Sequence, residues 1–222
     1  MRGLDELHVY DDVEPKSAAM NMALDEALLE TADAPSLRFY RWRRASLSFG
    51  YFGFFADAAG EGEGREIVRR WTGGGIVLHG DDLTYSFVLP LGRPRDPAGS
   101  SPRAIYYEIH EAVRRALGQP TDVILASEAA PKVSEACFAN PVEADVLLAG
   151  RKIAGAAQRR TRLGLLQQGS IQYEALPPTF TDSFAATLCG SFERKVLAPL
   201  LLERAEKIAR RKYGTVQWLQ RR

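Results

Sequence analysis

The chain has 222 residues, is 45% hydrophobic and 26% charged, and carries a formal net charge of +1. That balance fits an ordinary globular chain able to bury a sizeable core, and it excludes a molecule-wide electrostatic trap for nucleic acid. Two cysteines, Cys137 and Cys189, and three isolated histidines make neither a disulfide framework nor a metal-ligand spacing, so no metal site is expected.

The opening "MRGLDELHVYDD" is too charged for a secretory signal, and no stretch approaches the length of a membrane span; the cytoplasm is the expected location. "LHVYDD" reads as a first strand. "KSAAMNMALDEALLETA" reads as an amphipathic helix, with Ala19, Met22, Ala23, Leu24, Ala27 and Leu28 at three- and four-residue steps. "SLRFYRW" and "ASLSFGYF" predict strands split by Arg43 and Arg44, and Ala58–Gly64, "AAGEGEG", is a loop by composition. "EIVRRW" predicts a short strand leading into Gly73, Gly74 and Gly75. "IVLHGDDLTYSFVLP" then reads as a hairpin turning at His79–Asp82. After the loop "GRPRDPAGSSP", Ser101 and Pro102 start a helix over "RAIYYEIHEAVRRALG". "DVILA", "EADVLLA", "RKIAGAAQRR" and "GLLQQGSIQY" are strand-like, and "PTFTDSFAATL" and "APLLLERAEKIARRKYG" are helical. Mixed and antiparallel strands flanked by helices give an α+β fold, expected as one domain over 1–222 with a helical extension from about residue 190.

A triple glycine gives up side chains and backbone order, which costs stability unless the chain must bend sharply or approach something closely. It is not a P-loop, because the Gly-Lys-Ser/Thr ending is missing and a strand follows, and it does not match a dinucleotide fingerprint. A structural turn and a phosphate-cradling loop both remain open at this point. In "GRKIAGAAQ", Lys152 either projects into a cleft, where its ammonium could polarise a carbonyl, or sits on a solvated hairpin tip. Cys137 is either a small buried hydrophobe or a nucleophile on a loop fifteen positions before Lys152. Cys189, inside a helical pattern, reads as core. Three basic groups, around Arg38–Arg44, Arg65–Arg70 and Arg151–Arg162, favour an acidic protein or a phosphate-bearing ligand if they converge, and are otherwise solvated faces.

Four segments, "MNMALDEALL", "LRFYRWRRASLSFGYF", "RRWTGGGIVLHGDDLTYSFVLP" and "CFANPVEADVLLAGRKIAGAAQRRTRLGLLQQGSI", together resemble the catalytic domain shared by lipoate–protein ligases and octanoyl/lipoyl transferases, distant relatives of biotin protein ligases. The resemblance implies that Gly73–Gly75 wall an acyl tunnel, with Arg69, Arg70, Thr72, His79 and Gly155 as further substrate-binding residues. It makes Lys152 the lysine beside the acyl carbonyl. "ACF" followed by "GRKIAG" is similar to the cysteine-dependent octanoyltransferases, which makes Cys137 the nucleophile. That branch moves octanoyl from acyl carrier protein to a lysine of a lipoyl domain, in a 2-oxoacid dehydrogenase E2 or a glycine cleavage H protein, without a cofactor. The alternatives are an ATP- and Mg-dependent lipoate–protein ligase and a noncatalytic acyl-binding homologue. Gly53 stands where many relatives have glutamine, so acyl-chain contacts are where this chain departs from the pattern. No helix-turn-helix segment precedes the catalytic pattern, and nucleic-acid binding is not expected.

Overall fold

The computed structural model describes residues 4–91, 101–118, 122–129 and 140–221. In chain order the elements are β1 (His8–Lys16), α1 (Ala18–Thr31), β2 (Ser36–Trp42), β3 (Ser46–Phe49), α2 (Phe55–Glu61), β4 (Glu66–Arg69), β5 (Val77–His79), β6 (Leu83–Pro90) and α3 (Pro102–Ala116). There follow β7 (Val123–Leu125), β8 (Val146–Leu148), β9 (Arg151–Thr161), β10 (Gly164–Ile171), α4 (Phe180–Leu188), β11 (Glu193–Lys195), α5 (Pro199–Ile208), a π-helical turn (Ala209–Tyr213) and α6 (Val216–Leu219).

Eight strands form one mixed sheet in the order β11-β1-β2-β6-β10-β9-β8-β7, and β4-β3-β5 form a second. The expected α+β class is the one observed. Side-chain alternation gives the large sheet two unlike faces. On β6, Leu83, Tyr85, Phe87 and Leu89 pack against Ile105, Ile109 and Val113 of α3 and Phe184 of α4. The alternate residues Thr84, Ser86 and Val88 are equally buried, beneath α1.

α1 starts at Ser17, whose hydroxyl accepts from the Met20 N–H, and its far side is covered by Ala205, Ile208 and Tyr213 of the C-terminal helices. It therefore lies between two layers and buries Asn21 and Asp25 together with its apolar residues. Asp25 is matched by Arg38 of β2, also fully buried, which donates to Asp25 Oδ1 at 2.8 Å and to Asp12 Oδ2 at 2.7 Å. Tyr40, Ser86 and Gln168 donate to the same Asp25 carboxylate, so the buried charge is both paired and fully hydrogen-bonded.

Two sequence expectations change, and one strand is added. Residues 76–90 are not a hairpin: β5 pairs with β3 in the small sheet, whereas β6 pairs with β2 and β10 in the large one. The Asp82 carboxylate makes the split possible, since it accepts from Gly80 N, Thr84 and Ser170 and so anchors the crossing between the sheets. The stretch 58–64 is not all loop, because α2 runs to Glu61 and hides Ala58 against Leu47, Phe49 and Ile76. β11, parallel to β1 at its edge, was too short and charged to register as a strand.

Truncating Asp25 to Ala leaves Arg38 buried beside a lost partner, and is expected to cost about 3 kcal/mol of stability. Urea denaturation of Asp25→Ala against the parent chain reads this directly, and a loss below about 1 kcal/mol would contradict the role given to the pair.

Candidate active site

β4 ends at Arg69, and the chain runs through Arg70, Trp71 and Thr72 into Gly73–Gly75. Thr72 is fixed by its hydroxyl donating to Gln168 Oε1 at 2.8 Å, and Gln168 in turn donates to Asp25 at 2.7 Å. Gly74 has φ +85°, a left-handed conformation open to glycine and costly for other residues. A Cβ on Gly50 would stand 2.0 Å from the Gly74 oxygen, and one on Gly74 would stand 3.4 Å from the Ala157 Cβ. The stretch thus threads between the β3 turn, where a side chain on Gly50 has no room, and β9, where a Cβ on Gly74 would just touch Ala157. Beside Gly73 the space is open.

Arg70 is buried and holds this backbone from outside. Its Nη2 donates to the Gly73 and Gly75 carbonyls at 2.9 and 2.8 Å, and its Nη1 donates to the Ser48 hydroxyl at 2.7 Å. Ser48 is 2.7 Å from His79 Nε2, and His79 Nδ1 is 2.8 Å from Asp82 Oδ2. His79 also stacks on Trp42, with ring centroids 4.0 Å apart. Burial drives the His79 pKa below its ordinary value despite the opposing hydrogen bond to Asp82. Burial alone would raise Asp82, but the hydrogen bonds from His79, Ser170 and Gly80 hold it below the usual carboxylate range.

Lys152 is buried, and its Nζ lies 2.8 Å from Asp145 Oδ2. The pairing of β8 with β9 shifts so that Val146 faces Ala154 while Leu147 faces Lys152, which leaves Ile153 as a bulged residue. The bulge changes the phase of β9 and puts Lys152 and Gly155 on one side. A Cβ on Gly155 would meet Lys152 Cε at 2.3 Å and Nζ at 2.6 Å, so the lysine lies across the bare glycine.

Two residues one turn apart on α3 support this pair. The Tyr106 hydroxyl donates to Asp145 Oδ1 at 2.6 Å and accepts from the Ala156 N–H at 3.1 Å. Burial, then the Asp145 charge, raise the Tyr106 pKa well out of reach, so it stays a neutral donor. His110 Nδ1 donates to the Ala144 carbonyl at 2.7 Å, pinning a residue whose φ of +65° is strained for an alanine. Burial pushes the His110 pKa down to about 4, against the pull of Asp145 and Ala144.

A cavity of about 30 Å³ lies between these walls, lined by Arg70, Ser48, His79, Gly155, Ala157 and Gln168 among others. His79 also lines an open cleft of about 740 Å³, together with Lys152, Arg151 and Arg65. Of the sequence-predicted site residues, Arg70, His79 and Gly155 line the cavity and His79 and Lys152 the cleft, while Thr72 and Gly73–Gly75 stand behind the cavity residues Gln168 and Arg70. Cys137 lies outside the described residues. Among the described residues, no group of three His, Cys, Asp or Glu stands close enough to hold a metal ion.

Arg69 goes elsewhere. Its guanidinium donates to the carbonyls of Tyr51, Gly53, Trp218, Leu219 and Arg221, sewing the C-terminal segment to the β3 turn. Arg69 and Arg70 are 1% and 6% exposed, so the expectation that this pair forms a steering surface is corrected. Arg159 stacks over Tyr51 and Trp71. Cys189 is buried, as its helical context suggested. Sequence reading missed Ser48, Asp82, Tyr106, His110 and Asp145. The one available signal was the spacing of Tyr106 and His110, which puts both on one helix face.

Residues 17–204 match the lipoyl protein ligase A/B catalytic domain. The chain belongs to that family. Octanoyltransferase LipM of Oceanobacillus iheyensis is 42% identical over 193 residues, covering 82% of this chain and 69% of the relative. Octanoyltransferase LipM of Brevibacillus brevis is 37% identical, covering 73% of this chain and 64% of the relative. The chain thus spans about two thirds of the length of these relatives. Among solved structures, lipoate-protein ligase A bound with ATP superposes with a TM-score of 0.70 at 21% identity over 98% of both chains. A bi-partite lipoate protein ligase from Thermoplasma acidophilum, described with its E2 lipoyl domain, gives 0.67 at 22% identity over 98% of this chain and 96% of that one. These two establish the shared lipoyl protein ligase fold.

Gly155→Ala places a methyl inside the volume of the Lys152 ammonium and is expected to break the Lys152–Asp145 contact. A crystal structure of the variant with Lys152 unmoved would contradict this packing. His110 binds a proton less readily folded than unfolded, so its contribution is present above pH 6.5 and is lost as pH falls through about 4. His110→Gln, which keeps a donor for Ala144, should flatten the stability–pH curve between those limits by roughly 3 kcal/mol. Denaturation midpoints across that range supply the comparison.

Proposed function

We propose that this chain is an octanoyltransferase that moves an octanoyl group from a carrier-bound thioester to a lysine of a lipoyl-domain protein. The observation that carries the reading is the placement of Lys152. Its ammonium is buried, oriented by Asp145 and set over Gly155; Lys152 lines the open cleft and Gly155 the small cavity. A fixed positive charge there suits the oxygen of a reacting acyl group. The relatives named octanoyltransferase favour this reaction over ATP-dependent ligation.

In the first step the Cys137 thiolate attacks the thioester carbonyl of octanoyl-acyl carrier protein. The new C–S bond forms, negative charge gathers on the oxygen beside Lys152, and the carrier's C–S bond breaks to release its thiolate. In the second step the acceptor lysine's amine attacks the acyl-Cys137 carbonyl. A C–N bond forms, the cysteine C–S bond breaks, and the amine proton passes to the departing Cys137 sulfur, while Lys152 stays an ammonium beside the carbonyl oxygen. The thioester arrives activated, so the reaction needs no nucleotide and no metal. The cytoplasm, where thiols stay reduced, suits a cysteine nucleophile.

Behind the cavity-lining residue Arg70, Gly73–Gly75 are the backbone best suited to yield and reclose, because no side chain of theirs has to be repacked. Acceptors are lipoyl domains of the 2-oxoacid dehydrogenase E2 or glycine cleavage H type.

Incubation with octanoyl-acyl carrier protein and apo lipoyl domain, without ATP, followed by intact mass, is expected to show octanoylated acceptor and an octanoyl adduct on the enzyme. The adduct should disappear in Cys137→Ala, and Lys152→Met should slow transfer by about a hundredfold or more. Modification only when ATP, Mg and free lipoate are supplied would replace this reading with a ligase. No modification in either mixture would leave a noncatalytic acyl-binding homologue.

A further inference from the structure

The side chains of Asp82, His79 and Ser48 stand in hydrogen-bonded series at the edge of the small cavity. Asp82 Oδ2 lies 2.8 Å from His79 Nδ1, and His79 Nε2 lies 2.7 Å from Ser48 Oγ. The same three residue types in the same order make a nucleophilic triad in hydrolases. Two observations exclude that role here. Ser48 is fully buried, and its oxygen already accepts the Nη1 proton of Arg70 at 2.7 Å. A nucleophile needs the opposite, an approachable oxygen with a free attacking lone pair.

The donors and acceptors assign a direction to the series. Asp82, as a carboxylate, only accepts, so His79 carries its proton on Nδ1. His79 Nε2 then accepts from the Ser48 hydroxyl, and Ser48 accepts from Arg70. Arg70 spends its other terminal nitrogen on the Gly73 and Gly75 carbonyls. At the far end, Asp82 Oδ2 also accepts from Ser170 of β10 at 2.7 Å, and Ser170 is the cross-strand partner of Gly155, the residue beneath Lys152. The series therefore links Ser170 and Gly155, which line the cavity from β10 and β9, to Arg70, which lines it from the side of the glycine stretch.

We propose that Asp82, His79 and Ser48 are positioning residues that, through Arg70, set the place of the Gly73–Gly75 backbone relative to the Lys152 strand. The glycine stretch has no side chains with which to hold itself, so its resting shape is delegated to this relay. Its consequence for acyl transfer rests on the reading above, that the glycine stretch is the acyl wall; its consequence for backbone order does not.

The test separates the two. Ser48→Ala removes one hydroxyl and cuts the relay in the middle; Asp82→Asn weakens it at its origin with little change of shape. In both, amide hydrogen exchange over 72–76 is expected to rise about tenfold, the loss of roughly one hydrogen bond, while exchange over β10 stays unchanged. The catalytic efficiency with octanoyl thioester should fall in parallel. The Ser48→Ala, Arg70→Gln double variant should lose no more than the worse single one, as expected of residues in one chain. Unchanged exchange over 72–76, an equal rise throughout the chain, or additive losses in the double variant would each overturn the relay. Faster exchange over 72–76 with undiminished transfer would support the relay and overturn the glycine stretch as acyl wall.

Discussion

Arg70 holds a piece of backbone that cannot hold itself. Its guanidinium spans the Gly73 and Gly75 carbonyls on one side and the Ser48 hydroxyl on the other. Around that group the rest of the polar interior falls into place. Thr72, just ahead of the glycines, is tied through Gln168 to Asp25 on α1, and Asp25 is matched by Arg38 on β2. A side-chain-free loop is cheap to approach and costly to order. Here the ordering is supplied by charged and polar groups buried on both flanks, which explains why the face of the sheet beneath α1 is polar although it is sealed from solvent.

Lys152 is placed by a different device. A bulge at Ile153 turns the lysine toward Gly155, and the missing Cβ gives its aliphatic stem a bed. Asp145 anchors the ammonium, Tyr106 anchors Asp145, and His110 holds the strained Ala144 backbone next to it. A buried lysine without such partners would be expensive. With them it becomes a fixed charge on rigid elements, which is the condition for stabilising an oxyanion without reorganisation during the reaction.

Much of this was legible in the sequence, and what was not has physical reasons. The helix at Ala18–Thr31 and the strands with alternating apolar residues follow from periodicity. The two glycine motifs marked where the backbone comes close to something. Pattern alone could not show that Val77–His79 and Leu83–Pro90 join different sheets, because two adjacent extended runs with a Gly-Asp-Asp link look like a hairpin whichever partners they choose. Arginines are as ambiguous: Arg69 and Arg70 read as a basic surface pair, yet both are buried, one sewing down the C-terminal segment and the other shaping the glycines. Asp145 and Asp82 gave no signal, since a carboxylate's partner is a matter of three-dimensional register. Thr84, Ser86 and Ser170 look like residues of a solvated strand face, and they are buried because α1 and the small sheet cover that face.

The proposed transfer requires an acyl group beside the Gly73–Gly75 backbone with its carbonyl at the buried Lys152. The most direct measurement is a crystal structure of the chain with a non-hydrolysable octanoyl thioester analogue. The account predicts the alkyl chain in van der Waals contact with the glycine backbone and Ala157, and the carbonyl oxygen within hydrogen-bonding distance of Lys152 Nζ. An alkyl chain bound away from the glycine stretch, or a carbonyl turned from Lys152, would contradict it.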